Sequence, residues 1–185
     1  MTKDDVFRPA SIIEALRATP ETRVADLDTN GTPGFDGDKA LGERLLAERG
    51  AVLSDLQEML FAEGRTGGTR SVLLILQGMD TAGKGGIARH VMGMVDPQGV
   101  ALRSFGVPTA EERSHHYLWR IRNALPTAGM IGIFDRSHYE DVLVVRVDGH
   151  IDDAEVTKRF AEINEFEAEL AASGTTLIKC FLNVS

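Results

Sequence analysis

The chain has 185 residues and a mass of 20.1 kDa, enough for one well-buried domain, and its composition of 43% hydrophobic and 26% charged residues excludes disorder throughout. A net charge of −8, a polar start without a signal-peptide core and no apolar run near ~20 residues predict a cytoplasmic protein that binds neither nucleic acid nor membrane. The single cysteine, Cys180, excludes an intrachain disulfide and a thiolate metal cluster.

The chain begins with a segment that has no sustained hydrophobic period. We interpret residues 1–37 as an N-terminal arm in which SIIEALRA forms a short helix. From Asp38 to about residue 62, apolar side chains recur every three or four positions, which predicts a long amphipathic helix. The segment EGRTGGTR ends that helix, and residues 38–185 are expected to form the globular core.

A phosphate-binding loop follows the first predicted strand, Val72–Leu76. Gly78, four residues, Gly83 and Lys84 reproduce the G-x-x-x-x-G-K spacing, in which backbone N–H groups surround a phosphate and the lysine adds positive charge. The next position, where a Ser or Thr hydroxyl normally binds Mg²⁺, is Gly85. A metal held by this loop therefore needs another protein oxygen, and Asp80 inside the loop is the candidate.

A second strand, VALRSF, precedes a helix that can be placed by its N-terminus. Thr109 and Glu112 have capping-box spacing, so one helix is predicted from there through EERSHHYLWRIRNAL to Pro126. Its basic side chains either line a groove for a phosphate chain or form an ordinary solvated surface. Arg113, His115, His116 and Arg120 make up this set.

The third strand, MIGIF, ends at Asp135. An acid at the carboxyl end of a strand in an open α/β sheet faces the ligand crevice and can bind Mg²⁺, although such residues also cap helices. Arg136 follows directly, where its guanidinium can bind a phosphate with two hydrogen bonds. His138 is given no role, and covalent phosphohistidine chemistry is a less favoured alternative.

The C-terminal part predicts one more helix and one more strand. Asp152 and Glu155 mark a helix start, Gly174 marks its end, and TTLIKCFLNVS reads as a fourth strand. This alternation of strands and helices predicts an α/β fold, a doubly wound parallel sheet in three α/β/α layers of the P-loop kinase type.

Three motifs in order closely resemble the family-2 polyphosphate kinases: GMDTAGKGG, SFGVPTAEERSHHYLWR and FDRSHYEDVLVVRV. The resemblance covers residues 38–185. It implies phosphoryl transfer between inorganic polyphosphate and a nucleoside mono- or diphosphate such as AMP, ADP or GDP. It also implies dependence on Mg²⁺, with Mn²⁺ as an alternative, and a homo-oligomer whose candidate interfaces are the helices at 38–62 or 152–172.

The same resemblance implies roles for individual residues. Asp80 and Asp135 are expected to hold the metal, while Lys84 and Arg136 join them as catalytic residues. Arg122 is expected to contact phosphates. The other expected phosphate or nucleotide contacts are Gly78, Met79, Thr81, Ala82, Gly83, Gly85, Gly86 and Tyr139.

The sequence departs from the family pattern at two places. Many members carry a lysine at the position of Gly106, and such kinases continue past FLNVS into a basic helical lid and a last strand, which this sequence lacks. A lid excludes water and grips the nucleotide. We therefore expect these 185 residues to bind phosphates but to turn over slowly or not at all.

Two other functions fit the same residues. An ATP-dependent nucleotide kinase shares the fold and the loop, although Asp80 and Gly85 favour polyphosphate as the donor. A phosphate-binding or assembly module without catalytic activity is the second alternative.

Overall fold

The computed structural model describes residues 9–184, whose helices flank a single parallel sheet. The helices are α1 (Pro9–Leu16), α2 (Lys39–Arg65), α3 (Lys84–Met92), α4 (Ala110–Ser114), α5 (Leu118–Arg122), α6 (Glu140–Val147) and α7 (Asp153–Ala172). The strands are β1 (Ser71–Gly78), β2 (Val100–Ser104), β3 (Ile131–Asp135) and β4 (Thr175–Leu182). They lie side by side in the order β2-β3-β1-β4, which confirms the predicted α/β class.

The central strand β1 is apolar on both faces because helices cover both sides of the sheet. Leu73 and Ile75 pack on one face against α5 and α7. Leu74 and Leu76 point to the other face, where side chains of α2 and α3 meet them. These two apolar layers give the predicted three-layer arrangement.

Three predicted helix starts are confirmed by their caps. The Asp38 carboxylate accepts the Leu41 N–H at 2.8 Å, and the Asp152 carboxylate accepts the Glu155 N–H at 2.8 Å. Thr109 and Glu112 form both hydrogen bonds of a capping box. Short polar side chains at these positions satisfy N–H groups that have no partner within the helix.

The single long helix predicted after Thr109 is wrong, because the chain breaks it into α4 and α5. His115 has an extended backbone (φ −111°, ψ 170°), and the His116 ring nitrogen accepts the Leu118 N–H at 3.3 Å before α5 begins. The break lets α5 turn Leu118 and Ile121 into the core. Helix α6 was not predicted as a separate element.

None of the helices within residues 9–184 is long and apolar enough to cross a membrane.

Cys180 lies on β4 and is half-buried in the apolar layer formed with α2 and α3. Burial raises the pKa of its thiol, so the structure supports the predicted packing role rather than a nucleophilic one.

Candidate active site

The loop between β1 and α3 wraps tightly because three of its residues have positive φ. These are Gly78 (φ 155°), Thr81 (φ 73°) and Gly83 (φ 86°), the last of which directly precedes α3. A methyl carbon on Gly78 would lie 2.8 Å from the Leu182 carbonyl oxygen, so only glycine fits there. Because Gly83 directly precedes α3, the loop leads into the N-terminus of this helix, where backbone N–H groups can bind an anion.

Lys84 starts α3, and its side chain folds back over the loop. The residue is 8% exposed, and its ammonium donates to the carbonyls of Gly78 at 2.8 Å and Met79 at 2.9 Å. An ammonium group has three N–H donors, so one remains for a phosphate oxygen. The structure thus places a partly satisfied positive charge at the phosphate loop.

Asp135 ends β3, opposite Ser104 of β2 and Leu76 of β1. Its Oδ1 atom is buried and has no hydrogen-bond partner within residues 9–184. A buried carboxylate oxygen without a partner is unfavourable, and a divalent cation would satisfy it. Asp135 therefore fits the predicted metal role.

Asp80 is the second predicted metal ligand, and its side chain is 80% exposed at the loop. Its Oδ1 atom accepts a hydrogen bond from the Arg136 guanidinium at 2.6 Å. No group of three or more His, Cys, Asp or Glu side chains in the described part of the chain forms a complete metal cage. Two carboxylates still suit Mg²⁺, which usually keeps water ligands and binds substrate phosphates.

Arg136 has an unusual backbone for a residue with a side chain. Its φ is 64°, in the left-handed region, and its N–H donates to the Leu76 carbonyl at 3.0 Å. The hydrogen bond to Asp80 raises the pKa of the guanidinium. Arg136 is therefore always charged, and its side chain is fixed beside the phosphate loop.

These side chains share an open cleft of about 480 Å³ at the carboxyl ends of the strands. Open α/β sheets bind ligands at this edge. The phosphate loop and the ends of β2 and β3 form its walls, which consist of Asp80, Thr81, Gly83, Lys84, Gly85, Ser104, Phe105, Gly106, Asp135 and Arg136. All four predicted catalytic residues are among them.

Two predicted contacts lie elsewhere. Arg122 does not line the cleft; its guanidinium donates to Glu169 at 2.8 Å and lies 4.8 Å from the centre of the Phe166 ring. Tyr139 also points away, because its hydroxyl donates to Glu167 at 2.8 Å. The structure thus does not bring these two side chains to the other predicted site residues.

Arg120 contributes to the cleft in a way that the sequence did not indicate. Its guanidinium donates to the Asp141 carboxylate at 3.0 Å and to the Gly106 carbonyl at 2.9 Å, and the residue is buried. The burial of Arg120 contradicts its interpretation as part of a solvated surface, whereas the groove-lining interpretation stays a prediction, because Arg120 lines a second groove together with Arg103. The side chain positions the cleft wall at Gly106, and only the break between α4 and α5 would have revealed it.

Comparisons with known proteins point to one family. The family model described as Polyphosphate kinase 2 (PPK2) matches residues 37–185. The chain is 44% identical over 175 residues to the AMP/ADP-polyphosphate phosphotransferase of Meiothermus ruber, covering 94% of this chain and 64% of that protein. It is 43% identical over 145 residues to the ADP-polyphosphate phosphotransferase of Rhodopseudomonas palustris, covering 72% and 49%.

The chain also matches a solved structure in fold and sequence. The crystal structure of polyphosphate kinase 2 from Arthrobacter aurescens TC1 superposes with a TM-score of 0.91 at 54% identity. The match covers 95% of this chain and 62% of that one. The chain therefore spans less than two thirds of the length of each of these relatives.

Proposed function

Because the chain belongs to the polyphosphate kinase 2 family, we propose that it transfers a phosphoryl group between inorganic polyphosphate and a nucleoside mono- or diphosphate. The observation that carries this proposal is that one cleft brings together Lys84, Arg136 and an Asp135 oxygen that has no hydrogen-bond partner among the described residues. The positively charged side chains of Lys84 and Arg136 would bind the oxygens of a phosphate chain. The unsatisfied carboxylate oxygen would bind the accompanying metal ion.

The reaction asks the protein mainly to position and neutralise phosphates. A terminal phosphate oxygen of the nucleotide attacks a phosphorus atom of polyphosphate, and the P–O bond to the shortened chain breaks as the new one forms. The attacking oxygen is already ionised, so no strong base is needed. Lys84 and the loop N–H groups hold the phosphates in line, and Arg136 neutralises charge on the transferring group.

We propose that Asp80 and Asp135 hold Mg²⁺, with Mn²⁺ as an alternative. Bound there, the ion would supply positive charge that neutralises the negative charge of the phosphates in the transition state. Asp135 supplies a buried oxygen, and Asp80 supplies an exposed one that also orients the Arg136 guanidinium. The chain thereby replaces the missing hydroxyl at Gly85 with carboxylate ligands.

A donor comparison tests the proposed function. The chain is incubated with polyphosphate and AMP, ADP or GDP, and in parallel with ATP and the same acceptors, with and without Mg²⁺. Products are followed by ³¹P NMR over hours, so that slow turnover is detected. We expect polyphosphate-dependent and Mg²⁺-dependent nucleotide phosphorylation. Transfer from ATP alone would instead favour the nucleotide kinase.

We also propose that the protein forms a homo-oligomer through α2. Val52, Leu56 and Met59 recur on one side of this helix and are exposed in the single chain. Apolar side chains that line up along a helix in this way are typical of an interface.

A further inference from the structure

A cluster of four side chains lies outside the lining of the phosphate cleft and is not used by the proposed reaction. The Glu167 cluster consists of Glu167 on α7, Lys179 on β4, and His138 and Tyr139 in the segment between β3 and α6. Glu167 accepts hydrogen bonds from Lys179 at 2.6 Å and from the Tyr139 hydroxyl at 2.8 Å. The His138 Nε2 atom lies 3.3 Å from the same carboxylate.

The Glu167 carboxylate is largely buried and well supplied with hydrogen bonds, while the Lys179 side chain is half-exposed. Lys179 also donates to the Tyr139 hydroxyl at 3.1 Å, His138 is fully buried, and the Glu167 side chain is only 12% exposed. Burial raises the pKa of Glu167, but hydrogen bonds from His138, Lys179 and Tyr139 outweigh it and lower the value to about 2. Glu167 is thus a fixed anion that holds three donors from two other parts of the fold.

Two of these donors, His138 and Tyr139, come shortly after the predicted catalytic residues Asp135 and Arg136 in the sequence. Ser137, His138 and Tyr139 come after Arg136, and Ser137 and His138 are completely buried. The Tyr139 N–H donates to the Ser137 hydroxyl oxygen at 3.2 Å, which tightens this turn. The segment is therefore anchored on its C-terminal side by Glu167 and on its N-terminal side by strand β3.

Arg136 needs such anchoring because of its backbone. A left-handed conformation in a residue with a Cβ atom is unfavourable and persists only when the surroundings enforce it. The Arg136 N–H bond to Leu76 fixes one end. On the C-terminal side, the Ser137 carbonyl accepts the Glu140 N–H at 3.2 Å, and the side chains held by Glu167 add a second restraint on the same turn.

We propose that Glu167 is a positioning residue for Arg136. By holding His138 and Tyr139, it keeps Arg136 in the left-handed conformation that directs the guanidinium to Asp80 in the cleft. The catalytic consequence rests on the proposed function, because Arg136 acts there on the transferring phosphoryl group. The conformational consequence does not depend on any reaction.

Hydrogen exchange of backbone amides, measured by NMR, tests the conformational part. Glu167→Gln is compared with Glu165→Gln, an exposed position on the same helix with the same change of charge. We expect Glu167→Gln to speed exchange of the Arg136 amide at least tenfold, with β1 amides unchanged. Tyr139→Phe, which removes only one hydroxyl, should act in the same direction and serves if Glu167→Gln does not fold.

Equal Arg136 exchange in both glutamine variants, or a uniform rise across the sheet, would overturn the inference. A uniform rise is the mark of a merely structural role, because global unfolding exposes all slow amides together.

Kinetics test the catalytic part. Glu167→Gln should lower kcat for polyphosphate-dependent transfer about tenfold and leave the nucleotide KM within twofold. In an Arg136→Gly background, where glycine adopts positive φ freely and no guanidinium is present, the same change should lower kcat by less than twofold. A full tenfold loss in both backgrounds contradicts action through Arg136. A parent chain that transfers phosphate from ATP but not from polyphosphate contradicts the proposed function, and the exchange data still decide the role of Glu167.

Discussion

Lys84 illustrates how single residues set the chemistry of the cleft. Its ammonium is held by two loop carbonyls, so the charge is already placed before any phosphate arrives. A group that is fixed in advance loses little freedom on binding, which raises its contribution to affinity.

Replacing Lys84 by alanine is expected to weaken binding of inorganic tripolyphosphate about 10- to 100-fold, since a hydrogen bond to a charged group contributes about 1.5–3 kcal/mol. Isothermal titration calorimetry measures the change. Lys158→Ala removes the same charge from an exposed site on α7 and is the control. A Lys84→Ala variant that keeps the parent affinity would favour an assembly module over a phosphate-binding enzyme.

The two carboxylates of the cleft can be separated experimentally. Asp80→Asn and Asp135→Asn are each expected to raise the Mg²⁺ concentration needed for half-maximal transfer at least tenfold, because an amide binds Mg²⁺ more weakly than a carboxylate. Asp80 is exposed, so its variant should keep the parent Tm. Initial rates over a Mg²⁺ titration provide the measurement, and unchanged turnover of Asp80→Asn would show that the metal lies elsewhere.

At the residue scale, the sequence predicted which site residues lie together when they are close neighbours along the chain. The loop from Gly78 to Lys84 and the pair Asp135–Arg136 are contiguous, so their joint placement follows from the motif. Arg120 and Asp141 are 21 residues apart, and their contact depends on packing that no local pattern reports.

At the scale of elements, the buried Arg120–Asp141 pair joins α5 to α6 and also holds the loop at Gly106. Removing one partner leaves an uncompensated charge inside the protein, which is strongly destabilising. A matched exposed pair, Arg146 with Asp153 at 2.9 Å, lies at the end of α6.

Arg120→Met is expected to lower the free energy of unfolding by about 3–5 kcal/mol, whereas Arg146→Met should change it by about 1 kcal/mol or less, because exposed pairs contribute little. Urea unfolding followed by circular dichroism gives both values. Equal effects of the two substitutions would mean that Arg120 is not the buried anchor described above.

The Glu167 cluster ties α7 to β4 and predicts a dependence of stability on pH. The pKa of Glu167 falls from 4.5 to about 2 on folding. Its contribution to the free energy of unfolding is therefore fully present above about pH 4.5 and is lost as the pH falls towards 2. The contribution is below about 4 kcal/mol, at 1.36 kcal/mol per pKa unit. The urea concentration at the midpoint of unfolding should therefore fall less between pH 5 and pH 3 in Glu167→Gln than in the parent. In Glu165→Gln it should fall as much as in the parent, and urea titrations at each pH measure both. Parallel pH profiles for all three proteins would contradict the assigned contacts.

Helix boundaries show why element-scale prediction succeeded only in part. Caps such as Thr109 with Glu112 and Asp152 with Glu155 are local and were found from sequence. The break at His115 is different, because the residues on either side both favour helix and only burial of Leu118 and Ile121 requires the turn.

At the scale of the whole molecule, the alternation of strands and helices sufficed to predict the parallel sheet. Parallel strands need crossover helices, so element order and class follow from one another. The strand order β2-β3-β1-β4 was not predicted, since hydrophobicity marks β1 as central but does not say which neighbour lies on which side.

Oligomer formation through α2 is testable on the same scale. Leu56→Glu places a charge among the exposed apolar side chains of this helix and is expected to reduce the mass measured by light scattering to that of the single chain. Val107→Glu, at an exposed apolar residue outside α2, should leave the mass unchanged. An unchanged mass for Leu56→Glu would place the interface on another surface.

The surroundings of Gly85 bear on how this loop could be re-engineered. A carbon atom built on Gly85 meets no heavy atom within 4 Å, whereas one on Gly78 collides with β4. Packing therefore does not forbid a serine at position 85, and the common hydroxyl-bearing version of the loop is one substitution away. The proposed carboxylate metal site is consequently not imposed by packing at position 85, and the two kinds of ligand can be compared within a single scaffold.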